Sequence, residues 1–352
     1  MQAELKPPLA FNNTRYLMKD KKLLSLLVTV ALIVFVAFVR LRDSSANKTP
    51  DKPKKTSTTR SSHNKKKSSH HSDYTPQATT ASRTIVTSSS DDCNTHIKNT
   101  SDNNHLLLGN PSDAQPCRML VNNYLIDRTY YVASYNSERG TPNWVSWHLD
   151  ASDLGSTYRT DDFRADPELP GSFYHVEGSD YVSSGFDRGH NCPSGDRTNN
   201  TDANESTFLM SNMIPQAPKN NKRTWAGFEE YTRNTLVSAG NECYIIMGSY
   251  GTGGTGSKGR VKTIDEGKVT VPSRVWKVVV VIPAGDNDLE RLSSGDVKVV
   301  AIDTPNNNNT IDNSWRKYIT SVKAIEDSTG YHLLTNLPKR VQMALKAKVY
   351  VP

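Results

Sequence analysis

Residues 40–92 carry almost no large apolar side chains, and that absence decides where this chain can build a core. The segment is dominated by Ser, Thr, Lys and His. Such a composition buries too little surface to offset the entropy of ordering it, so the stretch reads as a disordered tether. Its HNKKKSSHHSD offers imidazoles and lysines to a metal or a polyanion, but a solvated linker is the simpler reading. Before it stands LLSLLVTVALIVFVAFV, residues 23–39, which are 17 residues without a charge. That is the short end of the about 17–25 residues that span a bilayer, and Leu17, Met18 and Leu41 can extend it. A buried core helix would show a polar stripe, and this run has none. We expect an uncleaved membrane anchor. A cleaved signal peptide competes, with Ser44 and Ala46 as small residues, although Arg40 and Arg42 interrupt the pattern. Lys19, Lys21 and Lys22 precede the run and basic residues follow it, so flanking charge barely chooses an orientation. The bulk of the chain comes after the anchor and is expected outside the cytoplasm, at a cell surface or in a periplasm-like space. The expected organisation is a short basic segment (1–22), a transmembrane helix (23–39), the tether (40–92) and one folded domain (93–352).

The formal charge of +7 over 352 residues averages two unlike parts. Residues 1–90 hold 16 Lys and Arg against 5 Asp and Glu, whereas residues 91–352 hold 27 against 31. The folded part is therefore slightly acidic, at net −4. A uniformly basic coat for nucleic acid is excluded; a local basic site is not. The four cysteines, Cys93, Cys117, Cys192 and Cys243, form no C-x-x-C pair, which argues against a zinc ribbon. Their even number allows disulfides outside the cytoplasm. Cys93–Cys117 is the first pairing to test, and free buried thiols are the alternative.

Order should begin near Leu106–Cys117. RTYYVASYNSERGTPNWVSWHLD reads as two strands joined by a turn at Glu138–Arg139–Gly140. Further strands are expected at Cys243–Met247, Val275–Ile282 and Val297–Ile302, the second buried on both faces. GTGGTGSKG between strands reads as a flexible loop; it lacks the ending and the setting of a phosphate-binding loop. The clearest helix is Lys222–Ala239, ending before Gly240. Antiparallel strands with a few helices argue an α+β domain.

Within it, FDRGHNCPSGDRT sets His190 two residues after Arg188. A cationic neighbour disfavours imidazolium, and a histidine kept neutral near pH 7 can accept a proton. A lone histidine is most often structural, but downstream comes TFLMSNMIPQAPKNNKRTWAGFEEYTR, dense in Asn and Gln. Asn221 opens the helix and Glu229 lies eight residues on, roughly 80° around the axis at 3.6 residues per turn. Both can then face one pocket. An amide oxygen and a carboxylate are hard ligands suited to a largely hydrated Mg²⁺. Arg233, one turn after Glu229, can hold it as an i,i+4 pair. The bland alternative is a surface helix with a capping Asn and a salt bridge.

The motifs DRGH (187–190), DRT (196–198), TF-MSNM-PQ (207–216) and N-x-x-x-W-x-x-x-E (221–229) together resemble the DNA/RNA non-specific endonucleases. This is the ββα-metal nuclease family of sugar-non-specific secreted bacterial nucleases and endonuclease G. The likeness covers about residues 118–350 and leaves out the anchor and tether. It implies a ββα-metal fold with a central, mainly antiparallel sheet flanked by helices, and cleavage of both DNA and RNA. By resemblance, His190 is the general base on water, and Asn221 the one protein ligand of a hydrated Mg²⁺, with Mn²⁺ as a substitute. Glu229 fixes the metal's waters, Arg188 stands beside the base, and Arg159 contacts phosphate. Asn212, Arg233 and Asp187 support the site. The family commonly has small apolar residues where Cys192 and Gly195 stand, so a thiol beside the base is expected to be oxidisable. The mild acidity predicts modest affinity and a need for Mg²⁺ to screen the substrate. An inhibitor protein and a second copy of the chain stay open as partners.

Two other functions compete. A catalytically silent nucleic-acid-binding protein would lack the base or the metal ligand, and this chain keeps His190, Asn221 and Glu229. A phosphodiesterase of small nucleotides would show no dependence of cleavage on chain length. A purely structural envelope protein would leave the polar constellation without a purpose.

Overall fold

A computed structural model of the chain describes Cys93, residues 100–294 and residues 297–352. The expected anchor and the whole of the tether lie outside the described residues. Among those described, no helix is long and apolar enough to cross a membrane.

The β-branched and aromatic runs form one seven-stranded antiparallel sheet. In spatial order it is β1 (Tyr124–Asp127), β2 (Val132–Asn136), β3 (Thr141–Leu149), β6 (Asn241–Tyr250), β11 (Arg274–Pro283), β12 (Lys298–Pro305) and β13 (Ile319–Thr320). The turn expected at Glu138–Gly140 joins β2 and β3, which pair antiparallel. β11 lies centrally between β6 and β12, and eight of its ten residues are fully buried. Alternation along it feeds two cores. Val275, Val279 and Val281 face Trp147, Met247, Trp225 and Phe228. Trp276, Val278 and Val280 face Leu107, Trp144, Val322 and Leu345.

Outside the sheet, β4 (Asp187–His190) and β5 (Met213–Gln216) make an antiparallel ribbon, with Asp187 opposite Gln216 and His190 opposite Met213. Between them runs a short helix, α1 (Thr201–Ser206). After β5 comes α2, a continuous helical segment over residues 220–239 that packs on the first core through Trp225 and Phe228. Two strands followed by a helix give the ββα unit expected. The remaining helices, α3 (Asp288–Ser294), α4 (Val322–Thr329) and α5 (Lys339–Ala347), pack toward the second core. Helices on both faces of an antiparallel sheet fit the expected mixed class.

Two local expectations need correction, and the first cysteine pairing holds. α2 starts two residues earlier than Lys222, and it contains two π-type turns, Asn220–Trp225 and Thr232–Leu236. Wider turns of that kind are rare and recur at functional sites. Its end at Gly240 is as expected, with φ of 81°. The glycine-rich stretch is not a loop: β7 (Gly254–Gly256) and β8 (Gly259–Val261) form a hairpin, followed by a short antiparallel pair of β9 (Thr263–Ile264) and β10 (Val269–Thr270). Cys93 and Cys117 are disulfide-bonded, while Cys192 and Cys243 are buried free thiols.

Candidate active site

The ribbon and α2 close around a cavity of about 310 Å³ that collects Arg159, Arg188, His190, Asn221, Glu229 and Arg233. Six of the eight residues expected at the site thus line one cavity. Asp187 lines an adjoining cavity of about 340 Å³, which shares Arg159, Arg188 and Asn221 with the first and adds Phe163, Phe186 and Lys222.

His190 and Arg188 lie on the same face of β4, two residues apart. The imidazole is set between Phe163 and Phe208, with ring centroids at 5.5 and 5.0 Å. Its Nε2 is buried and, among the described residues, has no hydrogen-bond partner. Burial, and then the charge of Arg159, push its pKa down to about 3. The ring is held neutral, as expected, but the cation responsible is Arg159 rather than Arg188. Arg188 instead points its Nε at the Gly178 carbonyl, 2.9 Å away, and stacks over Phe163 at 5.0 Å. Arg159 reaches the site from a loop: NH1 donates to Ser194 Oγ at 3.0 Å, and the guanidinium covers the Phe208 ring at 4.9 Å. Its ion pair with Asp161 is exposed on both sides and contributes little.

Asn221 donates from Nδ2 to Asp187 Oδ2 at 3.0 Å, while Lys222 Nζ lies 3.0 Å from Oδ1 of the same carboxylate. This fixes which end of the amide is the donor and leaves Oδ1 outside that bond. Glu229 accepts from Lys277 Nζ at 3.1 Å through Oε1. The expected Glu229–Arg233 pair does not form. Arg233 NH1 lies 2.7 Å from Asp196 Oδ1, whose other oxygen accepts from Trp147 Nε1 at 3.0 Å. Asp196 and Lys277 are each only 2% exposed, and a buried charge without a partner costs far more than an exposed helix pair gains. Gly195 now has a reason: a Cβ there would stand 2.9 Å from the Arg233 guanidinium carbon.

Asn212 supports the site without lining the cavity. Its Oδ1 accepts from Cys192 N at 3.0 Å, and its Nδ2 donates to the carbonyls of Cys192 and Thr207, each at 2.9 Å. It clamps the backbone just beyond His190. Cys192 is fully buried, and burial pushes its thiol up to about 12. The expected oxidation-prone thiol beside the base is therefore an inert core residue.

The family model of the DNA/RNA non-specific endonucleases matches residues 109–340. The chain belongs to that family. It is a nuclease, a hydrolase of phosphodiester bonds. A nuclease of a Nostoc species is 44% identical over 245 residues, covering 70% of this chain and 85% of the relative. Nuclease C1 of Cunninghamella echinulata is 35% identical over 46% of this chain and 66% of its own length. The mitochondrial nuclease EXOG of Xenopus laevis is 30% identical over 57% of this chain and 55% of its own. Among solved structures, the EndoG/EndoGI complex, described as showing the mechanism of EndoG inhibition, aligns with a TM-score of 0.53. It covers 67% of this chain and 92% of that one at 22% identity, and it speaks for the fold alone.

Several residues around the cavity were missed by sequence reasoning. Phe163 and Phe208 enclose the His190 ring, and Ser194 accepts from Arg159. Lys277 anchors Glu229 from the centre of β11, with the Trp147 and Trp225 rings at 5.3 and 4.8 Å from its Nζ. Its signal was visible as the one charge inside the run VWKVVVVI.

Proposed function

We propose that this endonuclease hydrolyses the backbone of DNA and RNA without reading sequence, with His190 as general base and a single hydrated divalent cation, Mg²⁺ or Mn²⁺. The observation that carries the reading is the unpartnered, buried Nε2 of His190 in a cavity walled by arginines. A neutral imidazole nitrogen with no internal partner is what a general base on water requires. Arg159 and Arg188 bind the scissile phosphate and stabilise the charge that develops on it. Backbone phosphate is common to both nucleic acids, which accounts for indifference to sugar and base.

The donor set fits a hard cation. Asn221 Oδ1 and the Glu229 carboxylate are oxygen ligands on one wall, and both have their other polar atom fixed inside the protein. Among the described residues, no three His, Cys, Asp or Glu side chains cluster to hold a metal, so a cation here keeps most of its water, as Mg²⁺ prefers. Asn221 would hold it directly and Glu229 through water. When bound, such a cation supplies charge neutralisation at the scissile phosphate and at the leaving oxygen. Asp187 orients Asn221, and Lys277 orients Glu229.

The apolar run at 23–39 anchors the enzyme in a membrane and 40–92 tether a catalytic domain held outside the cytoplasm, where the Cys93–Cys117 disulfide is stable. An inhibitor that protects the host would have to cover the arginine-walled cavity.

The test is nicking of closed-circular plasmid and cleavage of RNA with Mg²⁺ or EDTA, comparing wild type, His190→Ala and Asn221→Ala. Metal-dependent cutting of both substrates should vanish in each variant. Undiminished cutting by His190→Ala, or equal cutting in EDTA, would overturn the assignment.

A further inference from the structure

The glycine-rich hairpin at residues 251–261 takes no part in the chemistry above, yet it is packed tightly beside it. A Cβ on Gly254 would lie 2.8 Å from the Asn306 carbonyl, and one on Gly256 would lie 2.4 Å from the Gly185 carbonyl. Only glycine permits this approach. Backbone bonds hold the contact: Ser257 N donates to Gly185 O at 2.8 Å, and Thr255 N to Asn306 O at 2.9 Å. Gly185 precedes Phe186, which lines the cavity adjoining the base, and then β4 itself. The hairpin is a fixed ridge against the segment that carries His190.

The ridge is basic. Lys258, Arg260 and Lys262 are all exposed. Arg260 on β8 and Lys262 just past its end both cover Gly253, with side-chain atoms 3.5 and 3.8 Å from its Cβ position. Val261, between them, faces the other way, into a cavity of about 590 Å³ that also holds Asp180 and Asp265. Those carboxylates are engaged: the Tyr174 hydroxyl is 3.0 and 2.9 Å from them, and Lys268 is 3.2 Å from Asp265. Among the described residues, no carboxylate pairs with Lys258, Arg260 or Lys262. The same loop that holds the ridge also holds the start of α2. Asn306 and Asn308 side chains accept from Ala217 N and Lys219 N at 2.7 and 2.8 Å, and Asn308 N donates to Thr255 O at 2.9 Å. Lys219, Lys222 and Arg223 are exposed there. In a domain of net −4, this is a concentrated positive rim beside the catalytic cavity, in which Lys222 is paired with Asp187.

We propose that the ridge bearing Lys258, Arg260 and Lys262 docks polynucleotide backbone away from the scissile bond, so that the enzyme takes long chains in preference to short ones. The inference rests on reading the cavity as the phosphodiester site. Cations already fixed by a rigid frame, with no internal ion pair to break, meet phosphates at little cost. Contacts of this kind position the chain without selecting sequence.

The test uses the full chain with Lys258→Gln, Arg260→Gln and Lys262→Gln combined, all at surface positions. KM for plasmid should rise on the order of tenfold, with kcat unchanged. Cleavage of bis(p-nitrophenyl) phosphate, which fills only the scissile position, should be unaffected. Binding of a labelled duplex in EDTA, followed by anisotropy, should lose about 0.9 in its log–log salt slope per contact removed, up to about 2.7. A wild-type slope and KM in the variant would overturn the proposal. So would equal losses on both substrates, which would make the ridge a mere support for β4. If the wild type cuts neither substrate, the phosphodiester reading fails, and the binding arm still decides the ridge.

Discussion

Lys277 is 2% exposed at the centre of the sheet, and its Nζ lies 3.1 Å from Glu229 Oε1. Replacing Glu229 by Ala strands that charge. Removing one member of a buried pair costs about 3–5 kcal/mol. Two features of the structure lower the figure. The faces of Trp147 and Trp225 remain at 5.3 and 4.8 Å, each worth about 0.5–2 kcal/mol to a desolvated cation. Truncation at Glu229 also opens the ammonium to the cavity. The net loss should be about 2–3 kcal/mol, which in a domain of this size lowers Tm by about 4–12 °C. Adding Lys277→Met to the same chain removes the stranded charge and keeps an unbranched stem of similar length. The double variant should regain most of the lost Tm and still fail to nick plasmid. Scanning calorimetry beside the nicking assay separates the two effects. If Glu229→Ala melts at the wild-type temperature, or the double variant melts below it, Lys277 is compensated by something other than Glu229 and the reasoning is wrong.

Two further outcomes follow from buried groups. Folding holds His190 near a pKa of about 3, below the ordinary 6.5, so its contribution to stability is whole above about 6.5 and is lost as pH falls from there toward 3. Tm measured against pH should therefore fall less steeply through that window in His190→Gln than in wild type; parallel curves would refute the shift. Cys192 and Cys243 are buried with raised pKa values, and Cys93–Cys117 is closed. A thiol reagent should accordingly find no thiol in the native protein and two after denaturation without reductant; rapid native labelling would contradict that burial.

What the sequence made legible was what a local pattern determines. The β-branched runs marked the cores of β6, β11 and β12, but their ends were missed because ladder pairing continues past the apolar stretch, with Glu242 opposite Ile282 and Asn241 opposite Pro283. The hairpin of β7 and β8 was misread because glycines chosen for close approach carry no strand propensity. Motif order brought His190, Arg159, Asn221 and Glu229 to one cavity correctly. Their partners were another matter. An i,i+4 rule paired Glu229 with Arg233, whereas tertiary packing supplied Lys277 from 48 residues away and Asp196 from 37. A helix rule weighs exposed neighbours, and here the deciding quantity was the cost of leaving buried charges alone.

The same pairing settles how a slightly acidic domain can present a site for a polyanion. Asp187, Asp196 and Glu229 each meet a cation within the protein, in Lys222, Arg233 and Lys277 respectively. Their negative charge is neutralised locally. Arg188 is held by a carbonyl, and Arg159 by a hydroxyl and one exposed carboxylate, so both guanidiniums keep most of their charge for the cavity. The field a phosphate meets is set by these near groups, because charges beyond about 10 Å are screened at ordinary ionic strength. The expectation of modest affinity rests on a net charge of −4, a sum that does not resolve this local cancellation. It is the residue-by-residue cancellation around the cavity, not the sum over the domain, that governs the approach of a polyanion.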